Sequence, residues 1–387
     1  MSFSFGFNGD DIEDDENPEE QDALVGQISD YTISDAEGKH TATLPPQRHS
    51  LEELLSSLPS QISYNTLTVP ARPPSSSNRE RSSSSEEAQI TPSAIQRRSL
   101  FDIRAQLMAE ANPETHDDAA TLLSGLENGD LTSGIYEGGF KTWECSLDLA
   151  SLVTDLDFAQ NWHVLELGAG SAVPSLALLQ SSFSTSKHQR QRSRGSLRFT
   201  LCDYNEDVLR LCTAPNVLLN YYHYHHRVLV ESRRLMSASP DEEEQEELEG
   251  DLDIEELGDT FVADTVHDLR SRNISFDFIS GGWGGSFLDL VPLKSDADGP
   301  ESILILASET IYSPASTKVF AETLVNLLRR YPRGMAKAWV AAKKVYFGVG
   351  GGVDDFLIEI GRHRAKSTTL LETKDTGVGR VVLEITV

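Results

Sequence analysis

The segment Glu166-Leu167-Gly168-Ala169-Gly170 follows an apolar stretch typical of a strand and precedes a stretch typical of a helix. Glycines at such a turn let the backbone bend sharply and approach a ligand at the helix N-terminus. A nicotinamide-binding fingerprint has a third glycine at the position of Val173. The carboxylate of Glu166 would repel a pyrophosphate, yet it can pair with the ammonium of a methionine moiety.

A second candidate element is Cys202-Asp203-Tyr204, at the end of the next apolar stretch. A carboxylate there is placed to accept hydrogen bonds from both hydroxyls of a ribose. Asp203 lies further from Gly170 than the usual spacing of about 20 residues, and the polar insertion 181–196 accounts for the excess. Asp203 could also cap the following helix, and both roles can coexist. Together the two elements predict S-adenosylmethionine as the cofactor.

With these motifs the chain resembles the histidine protein methyltransferases, seven-strand enzymes that methylate a histidine of a large-subunit ribosomal protein. The matching segments are SGIYEGGFKTWECSLDL at 133–149, VLELGAG at 164–170, CDYN at 202–205, FISGGW at 278–283, ASETIY at 307–312 and YFGVGGGVDDF at 346–356. The resemblance covers residues 133–387 and implies a ribosomal-protein substrate.

By this resemblance, the cofactor contacts beyond Glu166 and Gly170 come from three segments and two single residues: Thr142, Trp143, Glu144, Cys145 and Ser146; Gly168; Cys202, Asp203 and Tyr204; Gly281, Gly282 and Trp283; and Ser308. Two departures are that Gly282 stands where an acidic residue is expected and that the insertions 181–196 and 237–259 lengthen rim loops. Both tryptophans offer rigid aromatic faces for the cofactor. Core packing is the alternative for each.

Glu309, Thr310 and Tyr312 are the candidate catalytic residues, directly after the fourth predicted strand. Imidazole is mostly neutral at pH 7, so one ring nitrogen already carries a nucleophilic lone pair. The enzyme must fix the tautomer, and a carboxylate that accepts the other ring N–H would do so. We expect Glu309 to play this part; alternatively it only caps a loop.

Gly348 and Gly350–Gly352 surround a single valine within the segment 346–356. Four glycines in five positions cost conformational entropy on folding. Close approach of another backbone, that of a substrate peptide, would explain them, and a mobile surface loop is the alternative.

Two other functions stay open at this stage. A lysine methyltransferase of the same fold would also use Glu309 and Tyr312, but lysine must first lose a proton and therefore needs an acceptor. A ribosome-assembly factor that binds the cofactor could instead use acidic segments to shield a basic protein.

Strand and helix patterns alternate from residue 142 onward and predict an α/β fold. We expect a Rossmann-like seven-strand methyltransferase sheet, mostly parallel, that ends in an antiparallel hairpin. Strands are predicted at 162–167, 197–203, 276–280, 303–307 and 335–343, with the hairpin in 367–387. Helices are predicted from Pro174, over 207–220 with an interruption at Pro215, and over 316–330 and 354–363.

The chain before this catalytic domain (133–387) divides into four parts. Residues 1–45 are predicted to be an acidic disordered tail, and 70–93 a linker. Residues 46–69 form a short amphipathic docking segment, with a capping box at Ser50 and Glu53, that either binds a partner or packs on its own domain, which we favour. Residues 94–132 are a helical lead-in, whose helix 94–109 has one apolar side formed by Leu100, Ile103, Leu107 and Met108.

The formal net charge of −28 is concentrated in two runs, with nine acidic residues in 10–22 and eleven in 241–256. Such runs are typical of solvated chain or of contact with basic partners. A basic loop could touch RNA, but a solvated turn or an import signal is the favoured explanation; its residues are Lys187, Arg190, Arg192, Arg194 and Arg198. Three irregularly spaced cysteines predict neither disulfides nor a metal site. With no signal peptide or membrane span apparent, we expect a monomer of the cytoplasm and nucleus.

Overall fold

The computed structural model describes residues 44–70, 93–111, 122–123, 138–154, 156–188, 195–236, 248–293, 300–346, 350–373 and 378–387. The predictions for the tail before residue 44, for most of the linker 70–93, for much of 112–137 and for the insertion residues 189–194 and 237–247 lie outside these ranges. Within the described ranges, no helix is both long and apolar enough to cross a membrane.

The main sheet has the strand order β1-β7-β5-β4-β8-β9-β11-β10 across the described chain. Strands β4, β5, β7, β8 and β9 are parallel, and β11 and β10 form an antiparallel hairpin beside β9. The strands are β1 Gln47–His49, β4 Trp162–Leu167, β5 Leu197–Asp203, β7 Ile274–Ser280, β8 Ser302–Ser308, β9 Ala336–Lys343, β10 Lys366–Thr373 and β11 Arg380–Thr386. The predicted Rossmann-like seven-strand sheet is confirmed, and β1 adds an eighth, antiparallel strand at the edge next to β7.

Helices cover both faces of this sheet, which explains why its central strands are apolar almost throughout. On β4, Val164 packs into the core on one side and Leu165 into the core on the other. The helices are α1 Leu51–Leu54, α2 Leu100–Glu110, α3 Glu144–Val153, α4 Val173–His188, α5 Glu206–Val208, α6 Ala214–Met236, α7 Ile254–Leu257, α8 Phe261–Ser271, α9 Gly285–Leu290, α10 Pro314–Arg329 and α11 Val353–Arg362.

The helix expected over 207–220 is split, and its second part runs on to Met236. A π-helical turn, Leu209–Thr213, separates α5 from α6. Pro215 lacks an N–H and cannot continue the regular hydrogen-bond ladder, so a widened turn directly before it is a physically reasonable accommodation.

The predicted helix over 94–109 is wrong in its first part. Residues 93–98 form strand β3 (Ser93–Arg98), which pairs with β2 (Gln61–Val69). Side-chain amides from α6 hold this strand from the other side: Asn216 accepts the N–H of Arg98, and Asn220 exchanges hydrogen bonds with the backbone of Gln96. These tertiary contacts override the local helical pattern. Met108 is also exposed, not part of the apolar side.

Part of the acidic insertion 237–259 is regular structure, which the prediction of a rim loop missed. Strand β6 (Glu249–Asp253) pairs with β2 and completes a small sheet of order β3-β2-β6, and α7 follows. Leu252 points into the core while its acidic neighbours are exposed; Asp251 accepts a hydrogen bond from Ser63 at 2.6 Å. Backbone pairing, the buried leucine and side-chain hydrogen bonds from β2 order this acidic stretch.

The docking segment packs on its own domain, as favoured from the sequence. Leu51, Leu54 and Leu55 are buried in the core that α3, α4 and α6 share with the sheet. The capping box is present, with Ser50 accepting the N–H of Glu53 and the Glu53 carboxylate accepting that of Ser50. No external partner is needed to explain the apolar face of this segment.

Candidate active site

The candidate residues lie at the carboxyl ends of the parallel strands. From β4 the chain continues to β5 and β7 on one side, whereas β8 and β9 lie on the other. Such a reversal of strand order opens a crevice at the carboxyl ends, where ligands bind in sheets of this kind. The last residues of β4, β5, β7 and β8 are Leu167, Asp203, Ser280 and Ser308.

The glycine turn after β4 has the backbone that the sequence predicts. Gly168 and Gly170 have φ values of +68° and +49°, a region that side chains disfavour. A Cβ on Gly168 would lie 2.8 Å from Cγ2 of Thr310, and one on Gly170 would lie 2.9 Å from the carbonyl oxygen of Gly139. The glycines therefore let Thr310, after β8, and Gly139, before α3, lie against the turn.

Asp203 is tied directly to this turn. Its Oδ2 accepts the N–H of Gly170 at 2.9 Å, and its Oδ1 accepts the N–H of Asn205 at 3.3 Å. The residue that caps α5 is Asn205, so Asp203 is not the helix cap that the alternative interpretation made it. Its place at the end of β5, against the glycine turn, is one from which a carboxylate can accept hydrogen bonds from ribose hydroxyls.

Glu166 is buried in the sheet beneath the turn. Its Oε2 accepts hydrogen bonds from the N–H and the hydroxyl of Ser175, in the first turn of α4. Burial raises the pKa of Glu166 to about 8, although the hydrogen bonds from Ser175 lower it. Its Oε1 is buried and receives no hydrogen bond from the described residues. Such an oxygen fits an incoming ammonium group.

Thr142 reaches the turn from the segment before α3. Its hydroxyl bonds to the hydroxyl of Ser171 at 2.9 Å and accepts from Nη1 of Arg97 at 3.2 Å. Arg97, Ser171 and Ser175 had no role in the sequence prediction. Ser171 and Ser175 stand next to a recognised motif and could have been found, whereas Arg97 comes from β3 and only the fold brings it here.

The residues after Thr142 form the start of α3, and their side chains make hydrogen bonds and an ion pair with other residues of the protein. Trp143 is the residue that precedes the first turn, and its Nε1 donates to the carbonyl of Gly138 at 3.1 Å. Glu144 pairs with Lys343 at 3.3 Å, and the hydroxyl of Ser146 donates to the carbonyl of Trp143 at 2.6 Å. Their assignment as cofactor contacts stays a prediction.

The segment after β7 connects to β5. The N–H of Gly281 points to the carbonyls of Asp203 and Tyr204, at 3.0 and 3.1 Å. Trp283 is partly buried, with its ring centre 5.1 Å from that of Phe320, so packing accounts for much of this side chain. Cys202 is buried at the end of β5, and its carbonyl accepts the N–H of Ala169. Ser308 ends β8 and is partly buried.

The predicted catalytic residues follow Ser308. Glu309 has a φ of +56°, and its N–H donates to the carbonyl of Ala341 at 3.0 Å. Its Oε2 accepts from the hydroxyl of Tyr346, which itself accepts the N–H of Lys343. A non-glycine residue held at positive φ is typical of functional sites.

Burial dominates the electrostatics of this carboxyl. Desolvation raises the pKa of Glu309, although Cys145, Tyr346 and Lys343 lower it. Desolvation and the nearby Glu309 raise the pKa values of Cys145 and Tyr346 far above their usual range. Glu309 Oε1 receives no hydrogen bond from any N–H or O–H group of the described residues. Thr310 Oγ1, beside the glycine turn, is likewise buried without a hydrogen bond there.

At Gly351 the glycine-rich segment approaches the protein's own chain. A Cβ on Gly351 would overlap the carbonyl group of Tyr312 and lie 2.5 Å from the carbonyl oxygen of Ile311. The N–H of Gly351 donates to the carbonyl of Tyr312 at 2.9 Å, and its own carbonyl accepts the N–H of Tyr346. For Gly351 the close backbone neighbour is therefore the segment after Glu309, and the approach of a substrate peptide to the other glycines stays a prediction. Gly348 lies outside the described residues.

Comparison with known proteins identifies the family. The chain is 33% identical to histidine protein methyltransferase 1 of Saccharomyces cerevisiae over 378 residues, which cover 92% of this chain and 89% of the relative. It is 33% identical to the protein of the same name in Schizosaccharomyces pombe, with 74% of this chain and 75% of the relative covered. The chain belongs to the histidine protein methyltransferase family. A homologue of that protein in Bos taurus is 31% identical over 264 residues.

Two other comparisons add little. No family model matches the chain. Among solved structures, magnesium protoporphyrin IX methyltransferase from Synechocystis PCC 6803 with bound S-adenosylmethionine has a TM-score of 0.31 and 10% identity, covering 74% of this chain and 89% of that one. An O-methyltransferase family protein from Burkholderia thailandensis has a TM-score of 0.32 and 9% identity, covering 70% and 60%. Scores this low carry no weight for the site.

The enzyme is thus a protein-histidine methyltransferase that uses S-adenosylmethionine, and its crevice fits that cofactor. The buried Oε1 of Glu166 suits the ammonium, and Asp203 suits the ribose. Among the described residues, no group of three or more His, Cys, Asp or Glu side chains could hold a metal ion.

Proposed function

We propose that the enzyme transfers the methyl group to a ring nitrogen of a histidine in a large-subunit ribosomal protein, with Glu309 orienting the imidazole. The observation that carries the proposal is the geometry of Glu309 at the end of β8. Tyr346 holds one carboxylate oxygen, and the other oxygen receives no N–H or O–H bond from the described residues. An imidazole N–H is the kind of donor that this oxygen lacks.

In-line transfer from a sulfonium to nitrogen depends mainly on positioning. A neutral imidazole whose N–H is held by Glu309 presents its other nitrogen, with its lone pair, to the methyl group. As the methyl group is transferred, the ring becomes an imidazolium, and the carboxylate stabilises the positive charge that develops. The hydrogen bond from Tyr346 fixes the carboxylate before the substrate arrives.

The ribosomal substrate rests on the resemblance of the six segments and on charge. Ribosomal proteins bind RNA and are basic, and a chain with a formal net charge of −28 is complementary to them. Action as a monomer, in the cytoplasm and the nucleus, stays a prediction.

Mass spectrometry of purified large-subunit proteins, incubated with the enzyme and labelled cofactor, tests the acceptor. We expect the label on histidine. The rate should rise through about pH 6–7, as the target imidazole loses its proton, and then level off. Label on lysine with every histidine unmodified, and a rate that keeps rising at alkaline pH, would refute the histidine acceptor for these substrates.

A strain that lacks the gene for this protein distinguishes an enzyme from an assembly factor. A Glu309→Gln chain that binds cofactor but does not transfer methyl should fail to restore histidine methylation of the ribosome. If it fully restores growth and subunit assembly, the protein acts mainly by binding.

A further inference from the structure

The chain before the predicted catalytic domain contacts the crevice at the carboxyl end of β7. Strand β1 is antiparallel to β7, with Gln47 opposite Ser280 and His49 opposite Phe278. The chain therefore enters at the ligand-binding edge of the sheet and then runs away from it. Residues 44–46, which we call the strap, lie at that edge.

Two close contacts hold the strap against the residues after β7, and a third holds β1 directly behind it. The N–H of Gly282 donates to the carbonyl of Leu44 at 2.9 Å. A Cβ on Gly281 would lie 2.6 Å from Cα of Pro46 and 2.7 Å from the carbonyl oxygen of Pro45, so only glycine admits the strap here. Behind the strap, Nε2 of His49 bonds to the hydroxyl of Ser280 at 2.8 Å.

The order of the strands indicates which end of the cofactor meets the strap. Glu166, the candidate partner of the ammonium, is on β4, and Asp203, the candidate partner of the ribose, ends the neighbouring β5. The base must then lie further in the same direction, towards β7 and β1. Three strand spacings of about 4.8 Å separate β4 from β1, a distance of about 14 Å across the crevice.

The strap also has the surface that a purine requires. Leu44 is 43% exposed although it is apolar, and Pro46 beside it is partly exposed. Apolar side chains at the wall of a crevice are typical of sites for an aromatic base. The backbone of Gly281, which the strap covers, is in turn bonded to the carbonyl of Asp203.

We propose that the strap is part of the cofactor site and forms its outer wall at the adenine end. The inference rests on the crevice being the cofactor site. It assigns a binding role to residues almost ninety positions before the first of the six matching segments, and it makes cofactor affinity depend on the docking of the N-terminal segment.

The test uses the full chain with Leu44, Pro45 and Pro46 all changed to glycine, because three glycines raise the entropy lost on docking and remove the apolar surface. The matched control is Arg48→Ala. Arg48 lies in β1, directly after the strap, and its loss removes the exposed ion pair with Asp277 of β7 but leaves the strap in place. Calorimetry measures the affinity for S-adenosylhomocysteine and for 5′-methylthioadenosine, which keeps the adenosine and lacks the amino acid.

We expect the triple variant to bind both ligands at least fivefold more weakly, and by the same factor, with the control within twofold of the unaltered chain. Equal affinity in the triple variant and the unaltered chain would overturn the inference while leaving the cofactor site intact. Failure of the unaltered chain to bind either ligand would instead refute the assignment of the crevice.

Hydrogen exchange of the unaltered chain gives a second measurement that needs no variant. The amide of Gly282 donates to the strap, so 5′-methylthioadenosine bound against the strap should slow its exchange and that of residues 47–49. Unchanged exchange at saturating ligand would show that the wall lies elsewhere.

Discussion

Glu166 should release a proton when the cofactor binds. Burial raises its pKa to about 8, because it penalises the charged form. At pH 7 a group with that pKa is about 90% protonated. If the cofactor ammonium pairs with Oε1, the carboxyl must ionise, and close to 0.9 proton per site is released. The affinity should then rise about tenfold from pH 6 to pH 7.

Calorimetry with S-adenosylhomocysteine in two buffers of different ionisation enthalpy measures this release. Glu166→Gln should abolish both the release and the rise in affinity with pH, since an amide does not titrate. Glu309→Gln is the matched control: that carboxyl also has a raised pKa, but it sits at the acceptor side, so its loss should leave the proton count unchanged.

The same group makes a prediction for stability, whose sign follows from the direction of the shift. The pKa of Glu166 is higher in the folded protein than in the unfolded chain. Its contribution is therefore fully present below about pH 4.5 and is lost as the pH rises through about 8. The free energy of unfolding of the unaltered chain should fall over this range relative to that of Glu166→Gln.

In the calorimetric test, equal proton release by the unaltered chain and by Glu166→Gln would refute the ammonium pairing. Glu166 would then be a buried neutral acid that anchors α4 through Ser175.

Three further predictions concern the rest of the crevice. Asp203→Ala should weaken S-adenosylhomocysteine binding about ten- to a hundredfold, because the ribose loses a charge-assisted acceptor; a change below twofold in calorimetry would leave Asp203 only as a brace for the glycine turn. Gly351→Ala should destabilise the fold by about 1–3 kcal/mol, since its Cβ overlaps the Tyr312 carbonyl, and should lower kcat with cofactor affinity unchanged; full activity would show that the segment after Glu309 tolerates the shift. Glu309→Gln should slow transfer at unchanged cofactor affinity, and an unchanged kcat would exclude its catalytic role.

The sheet was predictable because its signals are local. Strands such as β4 and β5 are continuous apolar runs, and their bounds agree with the prediction to the residue. The glycine turn and Asp203 stand at strand ends, where the strand order alone brings them together. The glycine pattern at 348–352 is also local, and it predicted that another backbone would come close to this segment. The pattern does not say which backbone this would be.

The strand conformation of residues 93–98 could not be predicted from the sequence, because the residues that determine it are far away along the chain. The prediction extended the helical periodicity of 100–108 back to residue 94, yet Asn216 and Asn220 on α6 and the strand β2 satisfy the backbone of this stretch. The order in β6 is similar: an acidic run is typical of solvated chain, and only the pairing with β2 and the burial of Leu252 decide otherwise.

The parts of the crevice that the sequence missed have one property in common. Arg97 reaches Thr142 from β3, and the strap reaches Gly281 and Gly282 through backbone atoms. An arginine, a leucine and two prolines far from any motif do not indicate a binding site in a sequence, and a backbone carbonyl is present in every residue. Yet Arg97 is linked to the glycine turn through Thr142, and the strap lies against the end of β7. The leucines of α1 lie in the same core as β4, so the N-terminal segment is held in place by the domain whose crevice it completes. The motifs after residue 133 therefore name the reaction, whereas part of the wall that would hold the cofactor comes from chain in which no motif is present.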